Sequence, residues 1–167
     1  MSKKGTVYFF TGLAGAGKTT LGKLFYERLV DIKKDVVFKD GDGLRKAPPG
    51  QTDYSTEARI RRARNRFAAY KELADQGTDV VFCSIAMYDE IRKWNRENIE
   101  NYKEVYIRVP MEELYRRDQK GLYSSGEKNV VGVDLPWDEP KNPDITVDND
   151  GRETPEEIVD RIERILL

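Results

Sequence analysis

Eight residues, Gly12-Leu13-Ala14-Gly15-Ala16-Gly17-Lys18-Thr19, have the types and spacing of a phosphate-binding loop. Glycines at these positions let the backbone curl until successive N–H groups point inward and cradle phosphate oxygens. Lys18 would reach the β- and γ-phosphates of a bound nucleoside triphosphate, and the Thr19 hydroxyl would hold Mg²⁺. A helix opening at Lys18 would aim its positive N-terminus at the same phosphates. The alternative is a glycine-rich strand-to-helix turn that binds nothing. The apolar run Val7-Tyr8-Phe9-Phe10 just before the loop supplies the strand that the binding motif requires.

Two carboxylates, Asp40 and Asp42, flank Gly41. Phosphoryl transfer to a hydroxyl needs metal positioning and a carboxylate to orient or deprotonate the acceptor, and these two could divide those jobs. By itself D-G-D is also an ordinary turn; beside a phosphate loop, and followed by Arg45, it gains meaning. An arginine-rich stretch follows, with Arg59, Arg61, Arg62, Arg64 and Arg66. At about 100° per residue, Ala63, Phe67, Tyr70 and Ala74 form an apolar stripe, with Arg59, Arg62 and Arg66 along one edge of it. Arginines bordering a buried face can converge on an anion with forked geometry. Arg61 and Arg64 point elsewhere, as on a solvated face. Finally, Arg117-Asp118-Gln119-Lys120-Gly121-Leu122-Tyr123 places basic residues beside a glycine, suited to closing over phosphates and excluding water. The same arginines would also complement a helix end.

The elements that must position these groups alternate. Thr6–Thr11 reads as a strand, and Lys18 to about Ile32 as a helix with Leu21, Leu24, Phe25 and Leu29 inward. Val36–Lys39 is a short strand, and Glu57 to Gln76 a helix closed by Gly77. Asp79–Ile85 is a nearly continuous apolar strand, the sign of burial on both faces. Tyr88–Asn98 reads as helix, Glu104–Val109 as strand, Met111–Arg117 as helix and Ile145–Val147 as a last strand. Thr154 at N-cap, Pro155 at N1 and two glutamates open a final helix that buries Ile158, Ile162 and Ile165 or Leu166. This order predicts an α/β fold: a mainly parallel sheet of about five strands between helices, in one domain over residues 1–167. Ligands of such sheets bind at the carboxyl ends of the strands, the edge that the phosphate loop marks. Residues 118–143 lack periodicity and carry Gly121, Gly126, Gly132, Pro136, Pro140 and Pro143; a lid over the nucleotide is expected there.

Composition narrows the options. Twenty-nine basic and 30 acidic side chains nearly cancel, so no global field points to nucleic acid or to a membrane. With no histidine and one cysteine, a zinc site and a histidine general base are excluded. Cys83 lies in the apolar run Val80–Cys83 and reads as a buried thiol. Met1-Ser2-Lys3-Lys4 leads straight into the first strand without a signal-peptide core, so a cytoplasmic protein is expected. Trp137 could stack a base or plug the core, and the core is the expectation.

Taken together, these segments resemble the adenylylsulfate kinase family across nearly the whole chain. The resemblance rests on Gly12–Thr20, on Asp40-Gly41-Asp42 with Arg45, and on Arg59. It rests also on Arg117–Tyr123 and on Gly132-Val133-Asp134-Leu135-Pro136. It implies transfer of phosphate from MgATP to the 3′-hydroxyl of adenosine 5′-phosphosulfate, in a homodimer. It implies Asp42 as the catalytic carboxylate, with Asp40 and Lys18 beside it in the chemistry. ATP would lie on Gly12, Ala14, Gly15, Ala16, Gly17, Lys18, Thr19, Thr20 and Arg117, and Mg²⁺ on Thr19 and, through water, Asp40. The acceptor would meet Asp42, Arg45, Tyr54, Arg59, Arg62, Lys120, Gly121 and Leu122.

The departures from the family pattern fall on the acceptor side. Gln51-Thr52-Asp53-Tyr54-Ser55 stands where the family has L-G-F-S, and Val130-Val131-Gly132-Val133-Asp134 where it has F-T-G-[IV]-D. Those two phenylalanines sandwich the acceptor adenine in the family. Tyr54 could replace the first, but Val130 cannot stack as a ring does. Arg62 replaces a family asparagine, and Ala86 a serine that is phosphorylated in some members. Trp94-Asn95-Arg96-Glu97-Asn98 and Asn129–Asp134 are similar to a divergent branch that phosphorylates cytidine diphosphoramidate in capsule-sugar modification. A diphosphoramidate tail needs more positive charge, which Arg62 supplies, and a pyrimidine needs less stacking. Both acceptors stay open. A non-catalytic ATP-binding module is disfavoured by Asp40, Asp42 and Lys120, and an ordinary nucleoside monophosphate kinase by the different lid.

Overall fold

The computed structural model describes residues 3–41, 55–86, 88–117 and 137–167. Ten elements alternate along them. They are β1 (Val7–Thr11), α1 (Lys18–Val30), β2 (Val36–Asp40), α2 (Thr56–Asp75), β3 (Asp79–Ser84), α3 (Asp89–Asn98), β4 (Tyr102–Arg108), α4 (Met111–Arg117), β5 (Ile145–Asp148) and α5 (Pro155–Leu166). The five strands form one sheet in the order β2-β3-β1-β4-β5, with every pairing parallel. From β1 the chain crosses to the edge strand β2, returns to place β3 between them, and then adds β4 and β5 on the other side. β1 therefore sits at the reversal of strand order, and its carboxyl end opens on the crevice where ligands of such sheets bind.

Alternation along β1 sorts the core into two layers. Tyr8 and Phe10 pack with α1 and α5 residues such as Phe25, Leu29, Ile158 and Ile162. Val7 and Phe9 pack with α2 and α3 residues such as Phe67, Tyr70 and Ile91. β1 and β3 are buried at every position, which is why both read as unbroken apolar runs. In the second layer Phe9, Phe67, Phe82 and Tyr70 meet edge-on or tilted, at centroid separations of 4.7–5.3 Å for Phe9–Phe67, Phe67–Phe82 and Tyr70–Phe82. Each such pair adds about 0.5–1.5 kcal/mol beyond its burial.

The helix ends follow local rules. Ser55 caps α2 by accepting from the Ala58 N–H. At its other end Gly77 N–H reaches the Ala74 carbonyl and Thr78 N–H the Leu73 carbonyl, with Gly77 at φ +99°. That double closure needs a left-handed residue, which glycine supplies. Thr154 and Glu157 form a reciprocal capping box ahead of Pro155 on α5. Of the two candidate core residues at the end of α5, Leu166 packs on the core and Ile165 is exposed. β4 starts at Tyr102 rather than Glu104, because Tyr102 and Lys103 continue the ladder against Val7 and Tyr8.

Residues 137–143 of the expected lid are fastened to the body. The Asp138 carboxylate accepts from the Asp89 N–H at the start of α3, its carbonyl accepts from Arg92, and Glu139 accepts from the Tyr106 hydroxyl. Trp137 packs partly buried against the core, as expected. The lid expectation otherwise concerns residues 118–136, outside the described residues. No described helix is long and apolar enough to cross a membrane.

Candidate functional site

The loop between β1 and α1 sits at the carboxyl end of the central strand. Its shape is fixed by close contacts. A side chain on Gly12 would come within 2.5 Å of the Ile107 carbonyl oxygen, so only glycine lets the loop lie against β4. Gly15 and Gly17 have φ of +83° and +100°, conformations that cost an L-residue strain. Ala16 N–H donates to the Leu13 carbonyl at 3.1 Å, tightening the curl. Ala14 and Ala16 are buried, Gly15 and Thr19 are half-buried, and Thr20 is exposed on the first turn of α1.

Lys18 is 3% exposed, and its ammonium donates to the Leu13 carbonyl at 2.8 Å. That carbonyl therefore receives two donors of the loop, and the lysine is held folded over the concave side. The Thr19 hydroxyl donates to Asp40 Oδ2 at 3.0 Å. The structure thus brings the end of β2 to the end of the loop and joins the predicted hydroxyl and carboxylate directly. Hard oxygen donors of this kind suit Mg²⁺, which takes one or two protein oxygens and completes its shell with phosphate and water. Among the described residues there is no group of three or more carboxylates or thiols that could hold a metal ion.

Gly41 lies close against the end of β3: a side chain there would meet Ser84 at 2.8 Å. Asp42, Arg45, Tyr54, Lys120, Gly121 and Leu122 lie outside the described residues.

On α2, Arg59, Arg62 and Arg66 are partly buried, whereas Arg61 and Arg64 are exposed. This is the division that helical phase predicts. Arg64 pairs with Glu90 on α3 at 2.9 Å, an exposed pair worth little. Burial lowers the Arg66 pKa, and the nearby charge of Arg62 adds to the effect while Tyr70 opposes it. Arg59 acts on Tyr88, just beyond β3, and favours its ionised form against burial, the larger influence. The arginine edge therefore begins at the same end of the sheet as the phosphate loop.

Arg117 ends α4 beside the loop. Its Nε donates to Glu113 Oε1 at 3.0 Å, and its Nη2 to the Asn149 carbonyl at 2.6 Å. The Glu113 carboxyl is held down at about 2 by the hydrogen bond from Arg116, with Arg117 adding to it. An open cleft of about 350 Å³ flanks this corner, lined by Pro110, Glu112, Glu113, Arg116, Asp150 and Arg152.

Sequence reasoning missed Asn149. It follows β5 directly, and its Nδ2 donates to the Ala16 carbonyl of the loop at 2.9 Å. The available signal was its place: the first residue past a strand, at the carboxyl edge of the sheet.

A family model described as adenylylsulphate kinase matches residues 4–148. The chain belongs to the adenylylsulfate kinase family. A cytidine diphosphoramidate kinase of Campylobacter jejuni is 42% identical over 93% of each chain. A probable adenylyl-sulfate kinase of Archaeoglobus fulgidus is 36% identical over 86% of this chain and 96% of its own. Among solved structures, the APS kinase CysC of Mycobacterium tuberculosis, in complex with AMPPNP and APS, superposes with a TM-score of 0.83 over 98% of both chains at 27% identity. As a member of the adenylylsulfate kinase family, the chain is an ATP-dependent phosphotransferase with the phosphate-loop kinase fold that its sequence implies.

Proposed function

We propose that this kinase transfers the γ-phosphoryl group of MgATP to the 3′-hydroxyl of a cytidine nucleotide, cytidine diphosphoramidate. The observation that carries this choice of acceptor is Arg62. It stands partly buried between Arg59 and Arg66 on one edge of α2, where the family pattern has a neutral asparagine. The added charge suits a tail with two phosphorus centres. The 42% identity with the Campylobacter jejuni kinase over nearly the full length of both chains supports the same acceptor. Val130, which replaces a stacking ring, agrees with a smaller base. A second reading, with adenosine 5′-phosphosulfate as acceptor, is favoured by the family match and by the likeness to the Mycobacterium tuberculosis kinase.

In either reading the loop amides and Lys18 stabilise charge on the β- and γ-phosphates. Thr19 and, through water, Asp40 would hold Mg²⁺, which would supply positive charge against the charge developing on the phosphates. Asp42 orients the 3′-hydroxyl for attack. Arg45, Arg59, Arg62 and Lys120 hold the acceptor's anionic groups, with Tyr54, Gly121 and Leu122 beside its base. Arg117 lies on the ATP side. The working form is a cytoplasmic homodimer, which sedimentation at micromolar concentration tests.

An ADP-release assay with MgATP distinguishes the acceptors. Turnover on cytidine diphosphoramidate is expected to exceed turnover on adenosine 5′-phosphosulfate by at least about tenfold in kcat/KM. The reverse preference replaces this reading with the second. ATP binding without turnover on either would favour a non-catalytic module.

Asp40→Asn keeps an oxygen to accept from Thr19 but removes the charge. The Mg²⁺ concentration for half-maximal rate is expected to rise about tenfold, the equivalent of one charge-assisted contact. An unchanged Mg²⁺ titration would take Asp40 out of metal positioning.

A further inference from the structure

Asn149 is tied at three points. Its N–H donates to the Arg108 carbonyl at 3.1 Å, and its carbonyl accepts from Arg117 Nη2 at 2.6 Å. These two bonds fix its backbone between β4 and α4. From that fixed base its carboxamide reaches the Ala16 carbonyl at 2.9 Å. The fit is close: a Cβ on Gly17 would come within 2.5 Å of the same Nδ2.

A trans peptide points its C=O and N–H in opposite directions. Holding the Ala16 carbonyl outward, toward Asn149, therefore turns the Gly17 N–H the other way, into the concave side of the loop. Gly17 has φ +100° and no side chain, so nothing in its own covalent structure fixes that peptide plane. We propose that Asn149 is a positioning residue that sets the Ala16–Gly17 peptide and so pre-orients a donor for the polyphosphate of the nucleotide. Binding then does not have to turn that peptide, and a preorganised donor acts at full strength. The same residue joins α4 to the loop through Arg117, so the end of α4 and the phosphate cradle share one anchor. This inference rests on the reading of the loop as the nucleotide phosphate site.

The test is calorimetric titration of wild-type protein, N149A and N149D with MgATP, with magnesium tripolyphosphate and with adenosine. N149D is nearly isosteric but sets a carboxylate against the Ala16 carbonyl, so it carries the test if N149A does not fold. For both variants the Kd of MgATP and of tripolyphosphate is expected to rise together, by about tenfold. Adenosine binding stays unchanged, and the melting temperature moves by only a few degrees. The N149A loss persists at raised salt, where simple charge repulsion is screened. Tripolyphosphate affinity within twofold of wild type overturns the proposal, as does a loss confined to MgATP, which would assign Asn149 to the base. Wild-type protein that binds neither MgATP nor tripolyphosphate overturns the nucleotide reading, and this proposal with it.

Discussion

Lys18→Ala is expected to lower kcat about a thousandfold, at the upper end of what one preorganised donor contributes. The lysine begins α1 and is 3% exposed, and its ammonium already lies over the loop on the Leu13 carbonyl. In phosphoryl transfer, negative charge spreads over the oxygens that this ammonium would face. Truncation removes that charge and also leaves a gap in a buried place, so part of any loss could reflect stability. Lys18→Met separates the two effects, since it keeps most of the stem and removes only the charge. Equal loss of kcat in the two variants, with Lys18→Met melting close to wild type, would establish an electrostatic role. A loss smaller than about tenfold in Lys18→Met would remove Lys18 from catalysis.

Asp42→Ala is expected to cost two to four orders of magnitude in kcat, the usual range for a positioned general base, written as about 10²–10⁴-fold. Acceptor affinity should change only a few fold. β2 delivers Asp40 to Thr19 at 3.0 Å, and Gly41 lies close against Ser84 at the carboxyl edge of the sheet. Asp42→Asn refines the role. An asparagine that retains most of the rate would show that Asp42 orients the hydroxyl, while loss equal to alanine would show that it takes the proton. Single-turnover ADP release with saturating acceptor measures both. A Asp42→Ala variant with near wild-type turnover would place the catalytic carboxylate elsewhere.

Much of this molecule was legible in its sequence, because its signals are local. Glycine spacing specified the loop, since left-handed backbone at Gly15 and Gly17 is something few other residues accept. Unbroken apolar runs specified β1 and β3, because a strand between two helix layers has no polar face. Thr154-Pro155 specified the start of α5, since capping involves only neighbours. Helical phase separated Arg59, Arg62 and Arg66 from Arg61 and Arg64. Cys83, read as a buried thiol, is fully buried beside Gly22.

Other features depended on residues far apart in the chain. Glu104 reads as a polar residue at the start of a strand, yet it is 2% exposed. The Tyr102 hydroxyl donates to it at 2.7 Å, and Asn95 in turn donates to that hydroxyl at 3.3 Å. Burial pushes the Glu104 carboxyl up, and Tyr102 holds it back. That arrangement needs α3 packed on β4, a fact absent from any local window. Residues 137–143 read as part of one irregular stretch, but Asp138 and Glu139 find their partners on α3 and β4, dozens of residues away.

By itself, then, the sequence determined the phosphate loop, the strand and helix order and the family, because backbone conformation and periodicity are set by near neighbours. Only the tertiary structure decided that Asp40 meets Thr19, that Arg117 leans on Asn149, and that Asn149 holds the Ala16 carbonyl. The physical reason is that a parallel sheet gathers the ends of strands distant in sequence onto one edge. Which side chains then lie within hydrogen-bond distance is settled by the packing of the helices on that sheet.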